Sequence, residues 1–260
     1  MRTYPSERWV RGYLGDVAVV DTRRPLLFWE DGFPPSYAFD PADVRTDLLE
    51  PGDPPGPDAP SFFLPKGPVR AWYDLRVGDR VVPHAAWVRD DPALEGRVVV
   101  SWLPGALDRW TEEDEEVRSH PRDPFQRVDA LPSSREVVVS LGGVELGRSR
   151  RPVLLFETGL PVRSYLPRED VRLDLLVPSD RESHCPYKGF AREYWDLPAD
   201  GDRPAVRGVA WSYTDPYPAV GAIAGRVAFY DELVDVEVDG VPRPRPESVF
   251  SREENRPTTA

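Results

Sequence analysis

LGGVELGRSRRPVLLFETGLPVRSYLPREDVRLDLLVP, residues 141–178, lies without a gap over LGDVAVVDTRRPLLFWEDGFPPSYAFDPADVRTDLLEP, residues 14–51, and 17 of the 38 aligned positions are identical. Arg23, Arg24 and Pro25 return as Arg150, Arg151 and Pro152, Glu30 as Glu157, and Asp43, Val44 and Arg45 as Asp170, Val171 and Arg172. Similarity of this density at one fixed shift identifies a tandem duplication, and each copy is long enough to bury its own core. The first copy then carries PGDPPGPDAP, residues 51–60, whose Pro and Gly content predicts a surface loop. The register resumes with LPKGPVRAWYDL over CPYKGFAREYWDL, with Ala86 and Trp87 over Ala210 and Trp211, and with Gly96, Arg97 and Val98 over Gly225, Arg226 and Val227.

These boundaries predict a first domain over 1–122, a linker over 123–134, a second domain over 135–247 and a flexible tail over 248–260. The acidic run Glu112, Glu113, Asp114, Glu115 and Glu116, followed by prolines, reads as solvated chain leading into the linker. EVVVS and VELGR around Leu141, Gly142 and Gly143 have the pattern of a hairpin. PVLLFE, REYWDL and AVRGVAWSY have the aromatic and β-branched content of strands. PYPAVGAIAG suits a short helix, RVAFY and VDVEVDG suggest a closing hairpin through Asp231 and Glu232, and the pieces around DVRLDLL fit either class. With 31 prolines the chain favours many short elements, and nothing suggests a parallel sheet with crossover helices. The fold class expected is mainly β, in two tandem copies with short helices.

A net charge of −12 argues against binding nucleic-acid phosphates or anionic lipid through the general field, although a local basic pocket would still hold one small anion. No membrane span is expected, because no apolar run approaches 18 residues, and MRTYPSERWVRGYLGD lacks the apolar stretch of a signal peptide. The single cysteine, Cys185, excludes an internal disulfide and fits a reducing cytoplasm. With three histidines and one cysteine, neither a metal site nor a cofactor is expected.

The 33 basic residues include only two lysines, Lys66 and Lys188, and the repeat superimposes them. Arg and Lys are not equivalent, since a compact ammonium fits a small pocket and loses its proton when buried unpaired. A chain that writes almost every cation as Arg has kept Lys at one repeated place.

The second half resembles the bacterial family catalogued as domain of unknown function 427. The resemblance rests on Tyr165, Pro167, Asp170, Val171, Pro178 and Ser179, and on CPYKG from Cys185 to Gly189. It continues through Ala191, Tyr194, Trp195, Ala210, Trp211, Tyr213 and Pro216 to Gly225, Val227, Ala228, Phe229 and Tyr230, with Ser183 where the pattern implies Thr. It implies a curved antiparallel arrangement, the β-tent, similar to the folds of methionine sulfoxide reductase B and the drug-binding domain of cereblon. Those usually hold zinc through paired cysteines, which this chain lacks. The family has also carried a nucleotidyltransferase label, but Gly-Ser followed by paired aspartates on a strand does not occur here. The first half resembles the family weakly, with Leu64 in place of the cysteine and no tyrosine between Pro65 and Lys66.

If the aromatic strands cover CPYKG, Lys188 sits in a recess walled by Tyr187, Trp195, Trp211 and Tyr213, with Arg151 and Arg172 completing a site for a carboxylate or phosphate. The leading reading is a small anionic or nucleotide-like ligand held by Lys188 and stacked on Trp211. Against it stands a structural role, in which the Lys188 stem lies on an aromatic ring and the arginines pair with Asp170, Asp174 and Glu157. Cys185, three residues before Lys188, is a weak candidate nucleophile, with His184 on the opposite face of its strand. That gives the alternative of an enzyme acting on a phosphorylated or carboxylated metabolite through Lys188 and Cys185. A third reading is a protein interaction module without catalysis. Asp235, Glu237 and Asp239 share one strand face, more suited to protecting a sheet edge than to holding a cation.

Overall fold

The computed structural model describes residues 1–30, 32–56, 64–201 and 204–252. The chain forms two compact units, Met1–Pro124 and Phe125–Ala260. It is mainly β, and its helical elements are short 3-10 turns. Every sheet pairing between strands is antiparallel.

In the first unit one sheet runs in the order Arg2–Pro5, Leu26–Trp29, Ser36–Phe39, Val98–Val100, Arg80–Arg89, Val69–Val77 and Leu49–Gly52. A second sheet runs Glu115–Val117, Arg109–Glu112, Val10–Leu14 and Val17–Thr22. The second unit repeats this plan in three pieces. Val128–Pro132, Val153–Glu157 and Arg163–Tyr165 form one. Val144–Ser149, Val137–Leu141, Asp235–Val238 and Val241–Arg243 form the next. Val177–Ser179, Glu193–Leu197, Val206–Ser212 and Val227–Phe229 form the third, and the hairpin Ser183–Cys185 with Gly189–Ala191 stands beside them. The expected hairpin over 137–149 is present, and its turn glycines Gly142 and Gly143 have φ of +59° and +79°, which an L side chain adopts only under strain.

Strand alternation sorts the second unit's interior into two cores on opposite faces of the third sheet. Trp195, Ala210, Val227 and Phe229 face one, and Tyr194, Trp211 and Ala228 face the other. The second of these cores contains the polar cluster described below. Its counterpart in the first unit is a smaller group of Phe28, Ala38, Trp87, Leu94 and Val99.

Five expectations change. The stretch 123–134, expected as a linker, contains the strand Val128–Pro132, paired with Val153–Glu157 just as Arg2–Pro5 pairs with Leu26–Trp29. The acidic run 112–116 forms a hairpin in which Glu113, Asp114, Glu115 and Glu116 are exposed, as expected, whereas Glu112 is 5% exposed, accepts a hydrogen bond from the Tyr37 hydroxyl at 2.8 Å and pairs with Arg8 at 3.1 Å. Val227–Phe229 and Asp235–Val238 do not form a hairpin, because Asp231 and Glu232 lie in a turn that carries the chain from one sheet to another. Asp235–Val238 is an interior strand with partners on both sides, so its carboxylates protect no edge; Asp235 pairs instead with Arg245. The tail begins as ordered structure, with a 3-10 turn over Val249–Ser251, and residues 253–260 lie outside the described residues, as does the 57–60 part of the expected loop.

Candidate functional site

Lys188 reaches the interior through the geometry of one tight hairpin. The strands Ser183–Cys185 and Gly189–Ala191 pair Cys185 with Gly189, leaving Pro186, Tyr187 and Lys188 as the loop. The Lys188 N–H donates to the Cys185 carbonyl at 3.2 Å, and the Lys188 carbonyl accepts from the Tyr217 N–H at 3.1 Å. Gly189 follows at φ +96°, a conformation that glycine takes without strain. Fixed at both backbone groups, the side chain turns inward, and its ammonium forms an ion pair with Glu157 in which the two side chains are 10% and 7% exposed. Gln126 Nε2 donates to the other Glu157 oxygen at 3.3 Å. Glu157 ends the strand Val153–Glu157 with the same parity as the core residues Val153 and Leu155, which is why its carboxylate faces inward.

Around this pair stand Tyr165, Cys185 and Tyr213. Trp211 Nε1 donates to the Tyr165 hydroxyl at 3.1 Å, and the two rings meet edge to face with centroids 6.3 Å apart. The other neighbour of Trp211 is Tyr230, at 4.4 Å. Burial pushes the Tyr165 and Tyr213 hydroxyls well above their ordinary value. Burial alone would lower the Lys188 ammonium, but Cys185, Glu157 and Tyr165 outweigh it and hold it charged, above its usual range. Cys185 is half-buried at the end of its strand, Tyr187 is half-buried in the loop, and His184 turns to Tyr217, with Nε2 3.3 Å from its hydroxyl.

A second buried polar group adjoins the same core. Arg163 Nη2 donates to Glu232 at 2.6 Å, Nη1 lies 3.7 Å from Asp231, and the guanidinium stands over the rings of Trp211 and Tyr230 at 5.9 and 5.6 Å. The Ser248 hydroxyl also donates to Glu232, so the chain segment expected as a tail contributes to the interior. Burial raises Asp231 to about 6.

Of the expected site residues, the structure brings Lys188, Cys185, Trp211 and Tyr213 to one core. Trp195 faces the opposite core and lies under the Arg168 guanidinium at 5.1 Å, because it neighbours Tyr194 on a strand and strand neighbours diverge. Arg151 and Arg172 are exposed and engaged elsewhere, Arg151 with Glu169 at 2.7 Å and Asp170 at 3.5 Å, Arg172 with Asp174 at 2.7 Å. Glu157, Tyr165 and Arg163 were missed as site residues. The repetition of Glu30 as Glu157 was the available signal for the first of them. Among the described residues, no group of three or more His, Cys, Asp or Glu side chains is placed to hold a metal, and no helix is long and apolar enough to cross a membrane.

The first unit solves the same position differently. Glu30, the counterpart of Glu157, pairs with Arg89, whose side chain is 5% exposed and whose counterpart in the second unit is Tyr213. Lys66 sends only its backbone N–H to Glu30, at 3.1 and 3.0 Å, and its ammonium lies 4.3 Å over the Phe33 ring. Ala38 replaces Tyr165, and Trp87 Nε1, the counterpart of the Trp211 donor, is buried without a hydrogen-bond partner.

The chain matches the model of the family described as Domain of unknown function (DUF427) twice, over residues 2–113 and 129–240. No curated protein matches it. The two matches cover most of the sequence and stand at the same offset as the internal repeat, so the chain belongs to this family as a tandem duplication.

Proposed function

We propose that the second unit binds a small oxyanionic ligand, a carboxylate or phosphate of nucleotide or metabolite size, through the Lys188 ammonium. One observation carries the reading: an ammonium has three N–H donors, and among the described residues Lys188 uses one of them, on Glu157. Two donors therefore remain for ligand oxygens. Buried ion pairs contribute little to stability compared with well-packed apolar side chains, so keeping one in an aromatic core favours a functional origin. Trp211 takes the role of holding Tyr165 rather than stacking on a ligand, since Tyr165 and Tyr230 already contact its ring. In the first unit the Lys66 ammonium lies over the Phe33 ring and Arg89 pairs with Glu30, which supports assigning the activity to the second unit. One cysteine and a net charge of −12 suit a cytoplasmic protein that takes small solutes rather than nucleic acid.

A thermal-shift screen of the intact chain against nucleotides, sugar phosphates and small carboxylates tests this reading, with Lys188→Arg as comparison. A ligand at 100 times its Kd adds about 2.7 kcal/mol. A shift that is lost in the variant supports the site; no shift with any oxyanion removes it.

A second reading, an enzyme using Cys185 as nucleophile, draws on the closeness of that half-buried thiol to the Lys188 ammonium. Iodoacetamide should then alkylate Cys185 faster than a free thiol, and an ordinary or slower rate would end this reading.

A further inference from the structure

The first unit contains a recess that plays no part in the site above. It is lined chiefly by Phe28, Glu30, Phe33, Ser36, Leu64 and Trp87. Its origin is visible in the repeat. Ser36 stands where the second unit has Arg163, and Leu64 stands where it has Cys185. The Lys66 side chain has turned away onto Phe33, whereas Lys188 fills the corresponding space beside Glu157. The Arg163 guanidinium and the inward Lys188 ammonium therefore have no counterpart in this space, Arg89 enters it from the Tyr213 position instead, and a carboxylate remains at the base.

That carboxylate has unused capacity. Glu30 Oε1 accepts from Arg89 and shares the Lys66 backbone N–H with Oε2. Among the described residues no side chain donates to Oε2, the oxygen that in Glu157 holds the Lys188 ammonium. One or two lone-pair directions are thus open on a group that is 15% exposed. The aromatic rings of Phe28 and Trp87 line the opening and supply negative ring potential, which favours a cation, while the Phe33 ring already carries the Lys66 ammonium. The chain's net charge of −12 adds a general attraction for cations. The free space is narrow, roughly that of one or two water molecules, which admits a head group and not a ring.

We propose that this recess binds the ammonium head of a small primary alkylamine, which takes beside Glu30 the place that the Lys188 ammonium takes beside Glu157. The amine donates to Glu30 Oε2, its first methylenes lie against Phe28 and Leu64, and the rest of its chain leads out past Phe33. The proposal is independent of the Lys188 site, because it concerns the other unit and a ligand of opposite charge.

The test is an NMR titration of the intact, nitrogen-15-labelled chain with methylammonium and n-butylammonium chloride, using sodium butyrate and n-butanol at matched ionic strength as controls. The Trp87 indole N–H, identified by its loss in Trp87→Phe, should shift saturably with both amines and with neither control. Glu30→Gln should weaken that binding at least tenfold. Because Glu30→Gln also disturbs Arg89, a second variant is needed: Ser36→Leu fills the recess and leaves the ion pair in place, and it should abolish amine binding while the far-ultraviolet dichroism is unchanged. Absence of a saturable shift with either amine overturns the proposal. An equal response to butyrate or butanol, or amine binding that survives Ser36→Leu, overturns it as well.

Discussion

The Lys188 ammonium and the Glu157 carboxylate meet inside the second unit with one-tenth or less of either side chain exposed, while the matching Glu30 is neutralised by Arg89 from the position that Tyr213 occupies. Both units therefore keep an inward carboxylate at the end of the same strand and neutralise it with a cation from a different place. In the second unit that cation is a loop ammonium with donors to spare; in the first it is a guanidinium supplied by the strand Arg80–Arg89.

The two superimposed lysines should differ sharply in their energetic role. Removing one member of a buried pair leaves an uncompensated charge, so Lys188→Met and Glu157→Gln should each cost about 3–5 kcal/mol in urea unfolding. The double variant should recover most of that. Lys66→Met, at an exposed side chain, should cost under about 1 kcal/mol. Equal losses at Lys66 and Lys188 would contradict the burial described for them.

Alkaline pH should dissect the pair. The Lys188 value in the folded chain lies above its ordinary 10.5, because Cys185, Glu157 and Tyr165 outweigh burial. Its contribution to stability is therefore complete below 10.5 and is lost as pH rises through the folded value. The wild type should lose stability on this limb, and Lys188→Met should lose less, as read by urea midpoints at a series of alkaline pH values.

Asp231 gives the same sign on the acid side. Burial raises it from 3.8 to about 6, so between those values the folded chain holds a proton that the unfolded chain has released. Stability contributed by this group falls as pH rises across that interval and is level above it. Asp231→Asn should remove the fall, worth on the order of 2–3 kcal/mol at about 1.4 kcal/mol per pH unit. Glu232 is shifted downward, with burial opposed and outweighed by Arg163, so its own contribution rises with pH below 4.5 and is separable from that of Asp231.

The segment after Glu247 should behave as part of the second unit. Ser248 donates to the buried Glu232 and caps the turn Val249–Ser251, and Phe250 lies 5.7 Å from the Tyr230 ring. Ser248→Ala should cost about 1–3 kcal/mol by leaving a buried acceptor short of a donor. Ending the chain at Glu247 should lower Tm by several degrees, and an unchanged Tm would place the segment outside the cooperative fold.

Local pattern carried much of the fold and part of the site. The repeat, the hairpin over 137–149 and the aromatic strands were legible because β content and turn glycines are local features. Lys188 was legible through the rarity of lysine and its repetition. What composition obscured was pairing across distance. Glu112 belongs to a run that looks fully solvated, yet strand parity turns it inward to Tyr37, 75 residues away in sequence. Arg163 reads as an ordinary strand-end cation until the chain returns with Glu232, 69 residues later. Trp195 and Tyr194 carry similar aromatic signals, and only the sheet's position between two cores separates their roles.

Because the chain has two lysines, nitrogen-15 labelling of lysine side chains yields one ammonium signal from each, and an alkaline titration of those signals tests the buried pair directly. Burial lowers Lys66, whereas the Lys188 cluster raises its ammonium. Lys66 should deprotonate first, and Lys188 should stay charged through that step, shifting when an oxyanion from the screen is added. A Lys188 signal that titrates with or before Lys66 would contradict the paired, charge-holding site.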